Sequence, residues 1–203
     1  NPLLLVGGSA LEENNLIKIA LIAEKLGCEL KTDWFNARLD KGAGRINSIR
    51  IPYVVDKAVD VLKNFDTIIT IGARQPVAFF AYPNKPGILT QDKTKFLELA
   101  ELSDDITSLI NEFSDLVNVT SKNLKTMSEF NPPEIPKGPI NTTSLGMALG
   151  ALIPENAIIV DESVTTGREF FYQTSGSHPH TWLNNCGGSI GFGMPVAIGA
   201  AIA

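Results

Sequence analysis

Two short runs that stop at glycine constrain this chain more than any other feature. Leu3-Leu4-Leu5-Val6 ends at Gly7-Gly8, and Thr67-Ile68-Ile69-Thr70-Ile71 ends at Gly72. A strand with one wet face alternates apolar and polar residues. A run that is β-branched or apolar at nearly every position must be covered on both faces, which is the situation of a parallel sheet. Leu3–Val6 and Thr67–Ile71 are therefore expected as neighbouring central strands. Their glycine-marked carboxyl ends lie where sheets of this kind hold ligands.

The stretches between these runs read as helices and further strands. Leu16, Ile19, Ala20, Ala23 and Leu26 recur at helical spacing and stop at Gly27. Glu29–Thr32 reads as a strand, and Tyr53–Leu62 as a helix with Val54, Ala58, Val61 and Leu62 on one face. Gly87–Leu89 is a candidate fourth strand. Ser103 is placed to cap a last helix whose inner stripe is Ile106, Leu109, Ile110, Phe113, Leu116 and Val117. Strands alternating with helices imply a parallel α/β sheet covered on both faces, so residues 1–120 are expected to form a parallel-sheet, Rossmann-like domain.

From 121 to 138 the periodicity stops. Pro132, Pro133, Pro136 and Pro139 cluster in and just after this stretch. Proline removes backbone donors and disfavours helix, which predicts an extended linker between domains. A second unit occupies 139–203. Asn141 or Thr142 caps a helix to about Leu152. Ala157–Val160 is a strand, Asp161-Glu162-Ser163 a turn, Thr165–Tyr172 a helix and Thr181–Leu183 a second strand. A glycine-rich turn, 187–193, leads into a small-residue helix from Met194 to Ala203. Two strands do not make a stable covered sheet, so this unit is expected to be a truncated α/β domain. The start at Asn1, without methionine and directly on a buried-type strand, carries the same expectation for the other end.

Composition narrows the function classes. The 203 residues are 44% hydrophobic and 19% charged, with net charge −5 and pI about 5.1. That balance suits a packed globular chain. It argues against nucleic acid or an anionic membrane as partner, since both need a basic surface. Lys122 and Lys125 read as solvated positions. No run approaches the ~18 apolar residues of a membrane span. Cys28 and Cys186 lie far apart with no CxxC, so neither a zinc site nor a disulfide framework is expected. Each reads as a small buried hydrophobe in a reducing cytoplasm.

The chemistry-bearing residues concentrate near the C-terminus. Gly187, Gly188, Gly191, Gly193 and Gly199 surround Ile190 and Met194-Pro195. Glycine permits close backbone approach to a ligand, and proline suits the first turn of a helix. These residues alone support a ligand-facing turn before a helix, or else a tight structural turn. Asp161 and Glu162 are adjacent on a strand and point to opposite faces, so shared acid–base work is not expected. His178-Pro179-His180 has no third ligand nearby and reads as a loop rather than a metal site, with His180 as a residue that approaches substrate in a complete enzyme. Arg74 reads first as one half of a surface salt bridge and second as a nucleotide phosphate contact.

Gly188-Ser189-Ile190-Gly191-Phe192-Gly193-Met194-Pro195, followed by Ala197-Ile198-Gly199, resembles the diphosphate-domain signature of thiamine-diphosphate-dependent enzymes. The resemblance implies that this segment holds the aminopyrimidine of the cofactor. It makes Ile190 an apolar wedge that keeps the cofactor bent, and the Gly188 carbonyl an acceptor for the exocyclic amine. Proton removal from the thiazolium then rests on proximity. Ile158 to Thr166 resembles the strand and turn that meet the diphosphate, closest to the benzoylformate decarboxylase version. Glu162, Ser163, Thr165, Thr166, Gly188, Ser189 and Ile190 are the implied cofactor-binding residues. Val164 stands where a hydroxyl-bearing residue is frequent. Helix capping is the alternative role for Ser163, Thr165 and Thr166. Gly72 to Pro83 resembles the central domain of the acetolactate synthase large subunit-like subgroup, which implies the DHS-like form for the Rossmann-like domain of residues 1–120.

The resemblance implies a parent that decarboxylates a 2-oxo acid and joins the product to an acceptor, as a transferase. A benzoylformate decarboxylase-like lyase is the alternative, and a nucleotide-binding or purely structural Rossmann-like module the alternative of another class. It further implies Mg²⁺, a small-molecule 2-oxo acid substrate, and a homo-dimer or tetramer. No catalytic residue and no metal ligand is expected within 1–203: nothing matches the Gly-Asp-Gly magnesium motif, and the ring-activating glutamate would lie upstream. The chain alone is therefore expected to be inactive. FAD is not expected. Val6 to Leu11 lacks GxGxxG, and Gln75-Pro76-Val77 follows Arg74 in place of the acidic and basic residues of flavin-binding relatives.

Overall fold

The structure, a computed structural model, describes residues 1–119 and 124–203. Thr120, the first residues of the expected linker (121–123) and with them Lys122 lie outside the described residues. In chain order the elements are β1 (Pro2–Val6), α1 (Glu13–Leu26), β2 (Glu29–Thr32), β3 (Arg38–Lys41), β4 (Ile49–Arg50), α2 (Val55–Leu62), β5 (Thr67–Ile71), β6 (Lys95–Ala100) and α3 (Ile106–Leu116). After the undescribed residues come α4 (Thr142–Leu152), β7 (Ala157–Asp161), α5 (Phe170–Gln173), β8 (His180–Asn184) and α6 (Gly193–Ile202). They fall into two compact units: residues 1–34 with 48–124, and residues 35–47 with 125–203.

The first unit is a five-stranded, all-parallel sheet in the order β4-β2-β1-β5-β6. β1 and β5 are direct neighbours, with Leu3 opposite Ile68 and Val6 opposite Ile71, as the two apolar runs predict. Leu3 and Leu5 join Ile51, Val55, Ala58, Leu62, Phe65 and Ile68 in one buried cluster under α2. Leu4 and Val6 belong to the opposite face by strand alternation and are equally buried. In α1 Leu16, Ile19, Ala20 and Ala23 are buried but Leu26 of the expected stripe is 46% exposed; in α3 only Ile106 and Ile110 are buried, and Leu116 of the expected stripe is 79% exposed; these two helices pack together.

Two expectations for this unit need correction. Gly87–Leu89 is not a strand of the sheet. Ala78 donates to Gly87 O (2.8 Å) and Leu89 donates to Pro76 O (3.1 Å), so the segment folds back on its own loop. The fourth long strand is β6, hidden in the sequence because Lys95-Phe96-Leu97-Glu98 lacks alternation and four of its residues are exposed at the sheet edge. The cap of α3 is Asp105, not Ser103. Its carboxylate accepts from the Ser108 N–H (3.0 Å) and hydroxyl (2.7 Å).

The second unit has a three-stranded sheet in the order β3-β8-β7, with β7 and β8 parallel and β3 antiparallel to β8. β3 is unexpected. Arg38, Asp40 and Lys41 leave only Leu39 as an apolar signal, and the strand exists because it pairs with β8, where Thr181 donates to Asp40 (2.7 Å). Around Trp182, fully buried, pack Phe171 and His180. The Lys41 ammonium is buried over the Phe171 ring, 3.3 Å from its centroid. α4 begins at Asn141 as expected, in a reciprocal capping box with Ser144, and packs on α5.

The helix expected over Thr165–Tyr172 shortens to α5. Val164, Thr165 and Thr166 are β-branched and disfavour helix, and the chain turns tightly so that Gly167 lies against Ser163. Asn131 donates to Gly176 O and Ser128 to Arg45 O, so the described part of the Pro-rich stretch is tied to the second unit. No helix among the described residues is long and apolar enough to cross a membrane.

Candidate functional site

The carboxyl end of β7 and the segment between β8 and α6 build one site. Asp161 closes β7 by accepting from the Ser163 N–H (2.9 Å), the Ser163 hydroxyl and Trp182 Nε1 (3.3 Å). An aspartate bonding the backbone two residues on is the mechanism of an Asx turn. Tight closure is possible because residue 167 is glycine: a Cβ there would lie 1.6 Å from Ser163 Oγ. Thr165 and Thr166 are exposed on this turn, whereas the Ser163 hydroxyl is already donated to Asp161.

Glu162 takes a different direction. Its carboxylate accepts the amides of Gly191 and Gly193 at the start of α6. The Gly191 and Gly193 N–H groups hold its carboxyl below the usual glutamate range, against a small opposing effect of desolvation. Asp161 and Glu162 thus serve separate partners, as strand geometry requires. Across the turn, Asn185 Oδ1 accepts from Gly187 N and Ser189 N (both 3.1 Å), and its amide donates to Ser189 O. Asn185 is a site residue that the sequence reading missed. Its signal was the Asn-Cys-Gly spacing, which lets an Asn side chain bond the backbone two residues ahead. Ile190 stands on this anchored turn 96% exposed.

Other candidates are placed as follows. Cys186 is exposed and Cys28 half-buried, so neither is the buried hydrophobe expected, and neither forms a disulfide. Each lies at a turn, Cys28 just past the α1 terminus and Cys186 in the glycine-rich segment, where the backbone leaves no core to enter. Arg74 is exposed on the loop after β5 and is in none of the ion pairs found among the described residues, against the salt-bridge expectation. His180 is not in a loop but opens β8, buried, with Nδ1 2.7 Å from His178 O and Nε2 without a partner. Burial lowers its pKa, assisted by the Lys41 charge and opposed by the His178 carbonyl and Asp40. No cluster of three or more metal-ligating side chains occurs among the described residues.

In the first unit, the backbone at the carboxyl ends of β1 and β5 approaches closely at three glycines. A Cβ on Gly7 would meet Gly72 O at 2.6 Å, one on Gly8 would meet Leu102 Cδ2 at 2.7 Å, and one on Gly72 would meet Ile106 Cδ1 at 2.6 Å.

The fold defines the class of neighbour. Two solved structures cover the whole chain at TM-score 0.67. One is described as the "X-ray structure of a putative thiamin diphosphate-dependent enzyme isolated from Mycobacterium smegmatis", 20% identical and 42% covered by this chain. The other is the Rhodococcus jostii RHA1 thiamine diphosphate-dependent 4-hydroxybenzoylformate decarboxylase, 19% identical and 41% covered. The α/β architecture is thus that of domains found in thiamine-diphosphate-dependent enzymes.

Among curated sequences, the chain is 34% identical over 204 aligned residues, 99% of its length, to the Mycobacterium tuberculosis protein named "Putative acetolactate synthase large subunit IlvX". It is 32% identical over 74 residues to benzoylformate decarboxylase of Pseudomonas aeruginosa, an alignment covering 36% of this chain and 14% of that protein. The chain spans 38% of the first relative. No family model matches it.

Proposed function

We propose that this chain is part of a thiamine-diphosphate-dependent enzyme acting on 2-oxo acids, of the acetolactate synthase-like kind, and that its second unit carries one wall of the cofactor site. The observation that supports this most is Ile190. Ile190 is 96% exposed on a turn anchored by two other side chains, and it continues into an α6 face that is also uncovered, with Met194 78% and Ile202 81% exposed. A ligand seated against it explains both the exposure and the anchoring.

The donor set fits thiamine diphosphate. Gly188 offers backbone on an exposed turn for a heteroaromatic ring, Ser189 offers its hydroxyl while Asn185 holds its backbone, and Ile190 offers apolar bulk. Thr165 and Thr166 offer hydroxyls that nothing in the fold requires, and Ser163 offers acceptor capacity beyond its bond to Asp161. In this reading the Gly188 carbonyl and Ile190 would hold the aminopyrimidine end of the cofactor, and Ser163, Thr165 and Thr166 would hold its diphosphate. When bound, the cofactor supplies the electron sink for decarboxylation, and the chain supplies orientation. Mg²⁺ as diphosphate countercharge, residues 1–120 and 139–203 as central and cofactor-binding domains, a cytoplasmic location and a homo-oligomeric parent are parts of the same proposal. A dinucleotide in the first unit is not. The absence of GxGxxG from Val6 to Leu11 and the Gln75-Pro76-Val77 that follows Arg74 support that exclusion.

A decarboxylase without carboligation is the second reading, favoured by the segment Asp161 to Thr166 and its likeness to the benzoylformate decarboxylase version. The test is CO₂ release from a panel of aliphatic and aromatic 2-oxo acids by the full-length gene product, with thiamine diphosphate and Mg²⁺. Cofactor-dependent release with a coupled hydroxyketone product supports the synthase reading, and release with free aldehyde supports the decarboxylase. No release from any 2-oxo acid overturns both.

A further inference from the structure

We propose that Glu162 is a positioning residue for the cofactor-facing turn, acting with Asn185 as a two-ended clamp that holds Ile190 in place. This rests on the cofactor reading of that turn. Seven residues, 186–192, separate Asn185 from α6, and three of them are glycine, with a fourth, Gly193, opening the helix. Ordering such a segment costs more conformational entropy than ordering any other composition. A free glycine-rich loop would present Ile190 in many directions, and a ligand would bear the cost of selecting one.

The structure divides the ordering between two side chains. Asn185 fixes the first half through Gly187 N, Ser189 N and Ser189 O. Glu162 fixes the second half through Gly191 N and Gly193 N. Ile190 lies between the two anchored halves. The glutamate brings a charged acceptor to the positive end of α6, a ten-residue helix, where a carboxylate is favoured both as a hydrogen-bond partner and by the helix dipole. Glycine at 193 leaves room for this contact, because a Cβ there would lie 2.7 Å from Glu162 Oε2 and push the carboxylate aside. Glu162 also follows Asp161, which is held by Ser163 and Trp182. The clamp therefore ties the glycine turn to the end of β7, the segment proposed to face the diphosphate. The role of Glu162 in the site is thus to fix where Ile190 stands.

The test compares the full-length gene product with Glu162→Ala, Glu162→Gln and Asn185→Ala by amide hydrogen exchange without cofactor and by thiamine diphosphate affinity with Mg²⁺. Glu162→Ala should speed exchange in peptides spanning 191–196 by about tenfold or more and weaken the cofactor by a similar factor. Glu162→Gln keeps shape and one acceptor oxygen, and should recover part of both effects. Asn185→Ala should speed exchange at 186–190 first. Unchanged exchange in Glu162→Ala and Glu162→Gln overturns the clamp. Faster exchange with unchanged cofactor affinity overturns the positioning role, leaving a structural contact. If the wild-type protein itself shows no saturable cofactor binding, the proposed function fails, a result separate from either of these.

Discussion

Three glycine-to-alanine changes in the first unit separate backbone strain from steric exclusion. Gly27 closes α1 in the left-handed region (φ 69°), with nothing within 4 Å of a built Cβ. Gly27→Ala therefore meets strain alone, roughly 1–2 kcal/mol. Gly7 is extended (φ −157°), a conformation open to any residue, but its Cβ would lie 2.6 Å from Gly72 O. Gly7→Ala meets exclusion alone, about 1–3 kcal/mol if the backbone gives way. Gly72 combines both, with φ 62° and a Cβ 2.6 Å from Gly7 O and from Ile106 Cδ1. Gly72→Ala should cost the sum, about 2–5 kcal/mol, a large share of a typical domain stability. Denaturant unfolding with constant slope reads the three values directly. A Gly72→Ala change no more costly than Gly27→Ala, or a silent Gly7→Ala, would refute the claim that the ends of β1 and β5 are packed backbone to backbone.

Stability should fall in mild acid because of His180. Its folded pKa is lowered, so above the unfolded value of about 6.5 both states are neutral and nothing is lost; below it the unfolded state takes the proton first. Thermal melts from pH 8 to 5 should drop below about pH 6.5 and level off beneath the folded pKa, and His180→Gln should flatten that drop. Asn141→Ala should cost about 0.5–2 kcal/mol by removing the capping box of α4, with Asn141→Asp restoring most of it in the same unfolding assay. Ile190→Ala should leave stability within about 0.5 kcal/mol, since the side chain is exposed, yet slow cofactor-dependent turnover of the full-length gene product.

The parts of this fold legible in the sequence are those that are mostly buried. Leu3–Val6, Thr67–Ile71 and the stripe Leu16 to Ala23 carry the signal themselves, because most of their residues meet core on their own account, whereas Leu26 of the same stripe is 46% exposed. β3 and β6 were not legible. Arg38-Leu39-Asp40-Lys41 becomes a strand only because β8 offers a free edge, and Lys95–Ala100 only because β5 does; tertiary pairing overrides local preference in both. At the site, the glycine turn and the residues from Glu162 to Thr166 were visible as types and spacings. The reach of Glu162 to Gly191 and Gly193 was not, because it joins residues about thirty positions apart through a side chain whose rotamer no local pattern dictates.

The central claim, that the turn at Gly188 to Ile190 and the residues Ser163, Thr165 and Thr166 form a wall of a thiamine diphosphate site, is tested most directly by titration calorimetry. Thiamine diphosphate with Mg²⁺ is titrated into the full-length gene product and into its Ile190→Ala and Thr165→Val variants. The account predicts saturable binding to the wild type with a dissociation constant on the order of micromolar or tighter, weakened in both folded variants. Absence of saturable heat up to about 1 mM cofactor with folded wild-type protein, or equal affinity in all three, would contradict it.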